Sequence, residues 1–227
     1  MNFSKKALIA AAVTGMLPAG VQAAALNENL VTNPSFENVS GNAALSWLGN
    51  VTTYAYALNY TGPSPAGGGL NYWFGGGADP LASQMIDITG NAALVDAGQI
   101  SYNLSAFFST YLLQRDFGTV RALFLDAGSM QIGSASIGGA TFVGNLPVAG
   151  PGDLRAWGQD LFSGSIPSGT RMIRIVLDGD KEPGVGNVCD GYIDLLNFRL
   201  VAVPEPSTWS LLGVSLLAGR WYFRRRR

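Results

Sequence analysis

Histidine is absent from all 227 residues, and cysteine occurs once. Losing histidine removes the commonest general base and the commonest transition-metal ligand together. Zinc hydrolases, Ser-His-Asp triads and Cys-His proteases are therefore set aside as classes. The single cysteine, Cys189, forbids an internal disulfide. We expect it to be buried as a small apolar residue, with pairing between chains as the alternative. Charge is also scarce: charged residues make up 13% of the chain, too few for long solvated helices. What charge there is lies unevenly. From Leu26 to Val203 seven basic residues face 14 acidic ones, so this central part is near −7 although the whole chain is −1. Such a body argues against binding nucleic acid or anionic lipid through bulk electrostatics.

What is present is glycine, at 30 residues, and short runs with a two-residue period. Strand signals appear at Trp47-Leu48, Val51 to Tyr56, Ala82 to Ile88, Gly98 to Phe108, Val120 to Asp126, Ser129 to Ile137, Gln159 to Ser165, Arg171 to Asp178 and Tyr192 to Val201. Within the fourth of the longer runs, Ile100, Tyr102 and Leu104 point to one face. Turn chemistry separates the runs, as in Asp126-Ala127-Gly128 and Pro167-Ser168-Gly169. Eight or more short strands and no helix beyond a turn or two predict an all-β antiparallel sandwich of two sheets. From Tyr60 to Pro80 the chain reads as irregular, with two triple-glycine turns around Asn71-Tyr72-Trp73-Phe74.

The two ends read as addresses. Lys5 and Lys6, the apolar stretch Ala7 to Leu17 and the small residues around Ala23 and Ala25 have the layout of a secretory signal peptide, residues 1–25. Signal peptidase and the Sec machinery are its expected partners. At the other end, Pro204, Glu205 and Pro206 precede an apolar run, Ser207 to Phe223, and then Arg224, Arg225, Arg226 and Arg227. A helix over that run covers roughly 26 Å, the short end of what spans a bilayer core. The arginines should stay cytoplasmic, leaving the body outside the inner membrane.

The order Pro204-Glu205-Pro206, apolar span, arginine cluster resembles the PEP-CTERM sorting signal of Gram-negative bacteria. That resemblance covers residues 203–227 and implies an exosortase partner. It also implies passage through the inner membrane to a cell surface or extracellular matrix, in bacteria that make exopolysaccharide or biofilm. An ordinary tail anchor is the other reading of the same residues. A second resemblance lies in the body, residues 26–202. Leu30 to Glu37 looks like the opening strand of galactose-binding-like jelly rolls, a group that includes many carbohydrate-binding modules. Pro65-Ala66-Gly67-Gly68-Gly69 with Asn71-Tyr72-Trp73-Phe74-Gly75-Gly76, Tyr102-Asn103-Leu104-Ser105-Ala106, Gln114 with Asp116, Pro167-Ser168-Gly169-Thr170-Arg171 and Asp190-Gly191-Tyr192-Ile193-Asp194 follow in the matching order. The chain departs from that pattern at Ser109-Thr110-Tyr111, where Gly-Gly is usual before the tyrosine, and at Asp194-Leu195, where Asp-Asn is usual.

Three site readings follow. The resemblance implies a structural calcium ion held by the carboxylates of Glu37 and Asp194, with carbonyls near Asn33. Aromatic faces stack on sugar rings, so Tyr54, Tyr56, Tyr60, Tyr72, Trp73 and Phe74, with Asn71 and Asp79, form the candidate glycan site; the alternative, and the expectation for the alternating Tyr72 and Phe74, is that they fill the core between the sheets. Gln114 and Asp116 supply a polar rim. Asp190, Gly191 and Tyr192 close either the same end or the opposite one. Carboxylates are the only reactive groups available to catalysis, and most lie in turns they would support anyway. We therefore expect a protein without catalysis that binds or assembles with extracellular polysaccharide. A surface protein without a ligand and a carboxylate-based hydrolase are the alternatives.

Overall fold

The computed structural model describes residues 22–77, 81–149, 151–181 and 188–203. In chain order the elements are β1 (Val39–Ser40), β2 (Ala43–Ala44), β3 (Leu48–Gly49), β4 (Thr53–Ala55), β5 (Asn71–Phe74), β6 (Leu81–Asp87), α1 (Ala92–Asp96), β7 (Ile100–Thr110), β8 (Phe117–Leu125), β9 (Gln131–Gly138), α2 (Ala140–Gly144), β10 (Gly158–Ser165), β11 (Met172–Asp180) and β12 (Gly191–Ala202). β1 and β2 pair by themselves. The others form two five-stranded sheets, in the orders β10-β7-β12-β5-β4 and β3-β6-β11-β8-β9. Every pairing in both sheets is antiparallel.

Alternation explains which face of each sheet is apolar. Ile100, Tyr102, Leu104, Ala106 and Phe108 of β7 point inward with Trp73, Ile193, Phe198 and Leu200 from the same sheet. Opposite them lie Ile86, Val120, Ala122, Phe124, Ile137, Ile173, Ile175 and Leu177 of the second sheet. Burying this apolar layer between the sheets is the main favourable term holding the fold together. Asp126 closes the turn between β8 and β9, its Oδ1 accepting from the amides of Gly128 at 2.8 Å and Met130 at 2.9 Å.

The strand bounds differ from the sequence reading by a residue or two at most ends. Two differences are larger. Residues 30–37 form no strand. They run beside β12, with Leu30 donating to the Phe198 carbonyl and Leu196 donating to that of Pro34. Positive φ at Asn33 and Phe36, 52° and 58°, breaks any extended run there. Conversely, Asn71–Phe74 is a strand inside a segment whose glycines suggested a loop. Trp73 drives that: its side chain is enclosed in the core and its Nε1 donates to the Asn50 carbonyl at 3.0 Å.

An irregularity in β12 sets up the site. Pairing with β7 shifts between Asp194 and Asn197, and Leu195 takes φ 48°. The extra residue lets Ile193 and Leu196 both face the core, where strict alternation would send one of them out. Tyr192 and Asp194 therefore share the outer face of the first sheet. Most of the stretch read as a signal peptide, residues 1–25, and the whole apolar tail lie outside the described residues, which begin at 22 and end at 203. Among the described residues no helix is long and apolar enough to cross a membrane.

Candidate functional site

The outer face of the first sheet carries a second cluster, made almost wholly of tyrosine. Tyr72, Phe74 and Tyr192 are buried there, and Tyr54, Tyr56, Tyr111 and Trp157 pack on them half-buried. Register puts them together: Tyr54 lies across from Tyr72, and Tyr192 across from Phe74. Tyr54 stacks on Phe74 with centroids 3.9 Å apart and planes 15° apart. Tyr60 leans on Tyr54 at 5.5 Å, and Tyr111 meets Tyr60 edge-on at 5.7 Å. Trp157 packs against Tyr56 and Tyr72, with its Nε1 donating to the Thr61 hydroxyl at 3.1 Å. The Arg155 guanidinium donates to the carbonyls of Leu112 and Leu146, tying the loop before β10 over this end of the sheet.

Two concavities open on this surface. One, of about 200 Å³, is lined by Tyr54, Tyr60, Phe74, Tyr111, Val188, Asp190 and Tyr192. The other, of about 740 Å³, runs from Tyr56 along Asn59, Thr61 and Ser64 to Ala149 and Leu154. Carboxylates flank the tyrosines on two sides. Asp190 accepts from the Tyr192 hydroxyl at 3.3 Å, and its amide donates to Asp116 Oδ2 at 2.9 Å. The Gln114 side-chain nitrogen bridges the pair, 3.0 Å from Asp190 Oδ2 and 3.3 Å from Asp116 Oδ2. Burial, and then the neighbouring Asp116 charge, pushes the Asp190 carboxyl above its ordinary range.

On the other side, Asp194 is fully enclosed. Its Oδ2 accepts from the Tyr56 hydroxyl at 2.7 Å and its Oδ1 from the Leu195 amide at 2.7 Å. Burial dominates, so its pKa rises to about 8 despite both donors, and the nearby Glu37 charge adds to the rise. Glu37 is exposed and binds the next loop: Oε1 accepts from the amides of Leu70 at 2.9 Å and Asn71 at 2.7 Å. Gly69 permits this, because its φ is +70° and a Cβ there would stand 2.6 Å from Glu37 Oε1.

The structure thus gathers the residues singled out from sequence unevenly. Tyr54, Tyr56, Tyr60, Tyr72 and Phe74 come together, and Gln114 and Asp116 meet the same cluster through Asp190. Trp73 faces the opposite way, into the sandwich core. Asn71 is occupied with Glu37, donating from Nδ2 at 3.4 Å. Asp79, Pro204, Glu205, Pro206 and Arg224 to Arg227 lie outside the described residues. Glu37 and Asp194 approach each other, but the Asn33 carbonyl is taken by the Trp47 indole at 3.3 Å. Among the described residues no three His, Cys, Asp or Glu side chains gather to hold a metal. Oxygens of Ser64, Pro65 and Asp194 do converge around Gly68, within about 3 Å of where a Cβ would stand. Trp157 and Tyr111 were not legible as site residues. Each sits alone in its own stretch of sequence and reaches the cluster only through the fold. Cys189 is buried, and burial pushes its thiol up to about 12.

The last described residues run directly into the tail whose tripeptide, apolar span and arginines stand in order, and residues 202–227 match the PEP-CTERM protein-sorting motif. The chain carries a PEP-CTERM sorting signal. That motif implies an exported protein sorted to the cell surface by an exosortase. No curated protein matches the chain in sequence. Among solved structures, the body is similar to Family 16 Carbohydrate Binding Module-2, with 18% identity and a TM-score of 0.47 over 76% of this chain and 99% of that one. TmCBM61, solved in complex with β-1,4-galactotriose, is similar over 78% of this chain and 99% of its own, at 15% identity and a TM-score of 0.43. The enzymatically active domain of bacteriophage CBA120 tailspike protein 4 is similar over 76% of this chain but only 21% of its own length, at 17% identity and a TM-score of 0.46.

Proposed function

We propose that this PEP-CTERM protein enters the Sec pathway, is cut by signal peptidase, and pauses in the inner membrane through its C-terminal span. After exosortase action its sandwich stands on the surface or in the matrix, where it binds extracellular polysaccharide without catalysis. We read the body as a galactose-binding-like jelly roll. The observation that carries the binding reading is the tyrosine cluster outside the core. A protein with one apolar core has no structural need for seven aromatic rings on the far face of one sheet, four of them partly open to solvent. Tyrosine presents an apolar face to a sugar ring and a hydroxyl to its rim.

Burial of the carboxylates favours binding over hydrolysis. Glycoside hydrolysis needs two carboxyl groups facing each other across the scissile bond. Asp116 and Asp194 are both enclosed, and Asp116 shares one wall with Asp190. No sugar bond can sit between such partners. The test is a glycan array, followed by calorimetry on hits. Tyr54→Ala removes the ring stacked on Phe74 and should weaken binding about tenfold or more, a loss typical of one well-packed aromatic contact. Unchanged affinity in that variant overturns the assignment of the face, and silence across the array favours a structural surface protein without a ligand.

Glu37 and Asp194 support a second, smaller reading, a structural calcium ion. Their closeness, with the oxygens of Ser64 and Pro65 beside Asp194, favours it. Calcium would neutralise a buried carboxylate and tie the loop before β5 to β12.

A further inference from the structure

The smaller concavity has a charge balance that the larger one lacks. Its walls are aromatic on three sides: Tyr54 stacked on Phe74, Tyr60 against Tyr54, and Tyr111 edge-on to Tyr60. The fourth side is Asp190, whose carboxylate accepts only from neutral donors, Tyr192 and Gln114. Neither described ion pair, Arg121 with Asp178 or Arg171 with Asp96, includes it. Behind Asp190 stands a second, fully enclosed carboxylate, Asp116. Tyr72 stands behind this wall without lining the pocket, its hydroxyl buried and making no hydrogen bond.

Such a pocket discriminates by charge. A uronate, sulfate or phosphate brought there would meet the Asp190 carboxylate and be repelled. A neutral sugar would leave Asp190 without a counter-charge in a partly desolvated site. A cation meets ring faces that attract it and a carboxylate that pairs with it. The volume, about 200 Å³, is that of roughly seven waters, room for one sugar ring and not for a folded peptide. The body around the pocket, near −7 by its sequence, steers cations toward it.

We propose that this pocket takes the ammonium group of an amino sugar, so that the polysaccharide bound is one with free, N-deacetylated amines. The inference rests on the glycan-binding reading and narrows it to a cationic glycan. The experiment titrates the full chain, kept in detergent, with a glucosamine hexasaccharide and with the N-acetylated hexasaccharide of equal length, in buffer that keeps the amines protonated. The free amine should bind about tenfold tighter, and the gap should shrink as salt is added. Asp190→Asn should abolish the preference. Because that variant also alters the acceptor of the Tyr192 hydroxyl, Tyr60→Ala serves as the second: Tyr60 lines the pocket, and its loss should also erase the preference. Equal binding of the two oligomers overturns the cationic assignment and leaves glycan binding standing. Binding of neither overturns both. A preference that survives both variants overturns the pocket, and a lysine oligopeptide that binds as tightly as the amine glycan overturns the polysaccharide as its source.

Discussion

Asp194 is the residue on which the stability of this face turns. Its carboxyl is raised from an ordinary value of 3.8 to about 8, chiefly by burial. A group with a raised pKa in the folded state contributes stability fully below its unfolded value and loses it as pH climbs through the folded one. In a chelating buffer the melting temperature should therefore fall steadily from about pH 4 to about pH 8. Asp194→Asn, neutral throughout, should flatten that slope. A calcium ion held with Glu37 would reverse the penalty, so adding calcium should raise the melting temperature near pH 8 and hardly at pH 4. A slope that persists in Asp194→Asn places the titration elsewhere, and no response to calcium at either pH discards the ion. Sequence reading reached Asp194 and Glu37 as a pair because both lie in short motifs with a known order. It could not reach the Tyr56 hydroxyl that holds Asp194, since 138 residues separate the two. Trp73 shows the converse limit. Next to Tyr72 in sequence it looked like part of the same face, yet the two-residue period of a strand sends neighbours to opposite sides.

At the scale of elements, β12 determines both the core and the site. It lies between β7 and β5 in the first sheet, and its irregularity at Leu195 reconciles two demands on one strand. Before the irregularity Tyr192 and Asp194 look outward; beyond it Leu196, Phe198 and Leu200 look inward. Most strands were legible from alternation because each has one wet face and one dry face. β12 was legible in extent but not in phase, because an extra residue resets the period without changing composition. β5 was hidden for another reason: five residues between glycine triplets give too short a window for any period to show. The irregularity yields its own test. Leu195→Pro cannot adopt φ 48° and loses the amide that donates to Asp194, so it should destabilise the fold by more than about 1 kcal/mol in chemical denaturation. Leu195→Gly accepts that φ and keeps the amide, so it should stay within about 1 kcal/mol of the parent. Equal losses in both would show that the side chain, and not the backbone, matters there.

On the scale of the whole molecule, the folded body and the sorting tail meet at one point. β12 ends at Ala202, and the sorting motif begins at that same residue. Val203 is still fastened, its amide donating to the Gln99 carbonyl at 2.8 Å. A cut at or after Pro204 would therefore leave every strand of both sheets in place, including the central β12. Processing after Val203 would leave the pairing of the described strands whole. Two altered chains test this division. A chain ended at Val203 should melt within a degree or two of the full chain and bind the same glycans, because the apolar layer between the sheets is complete without the tail. In the host, replacing Pro204, Glu205 and Pro206 by alanine should strand the full-length protein in the inner-membrane fraction while the parent reaches the surface. A truncated chain that unfolds would place part of the stabilising core in the tail. An alanine variant that reaches the surface at normal levels would show that the tail acts as a plain anchor.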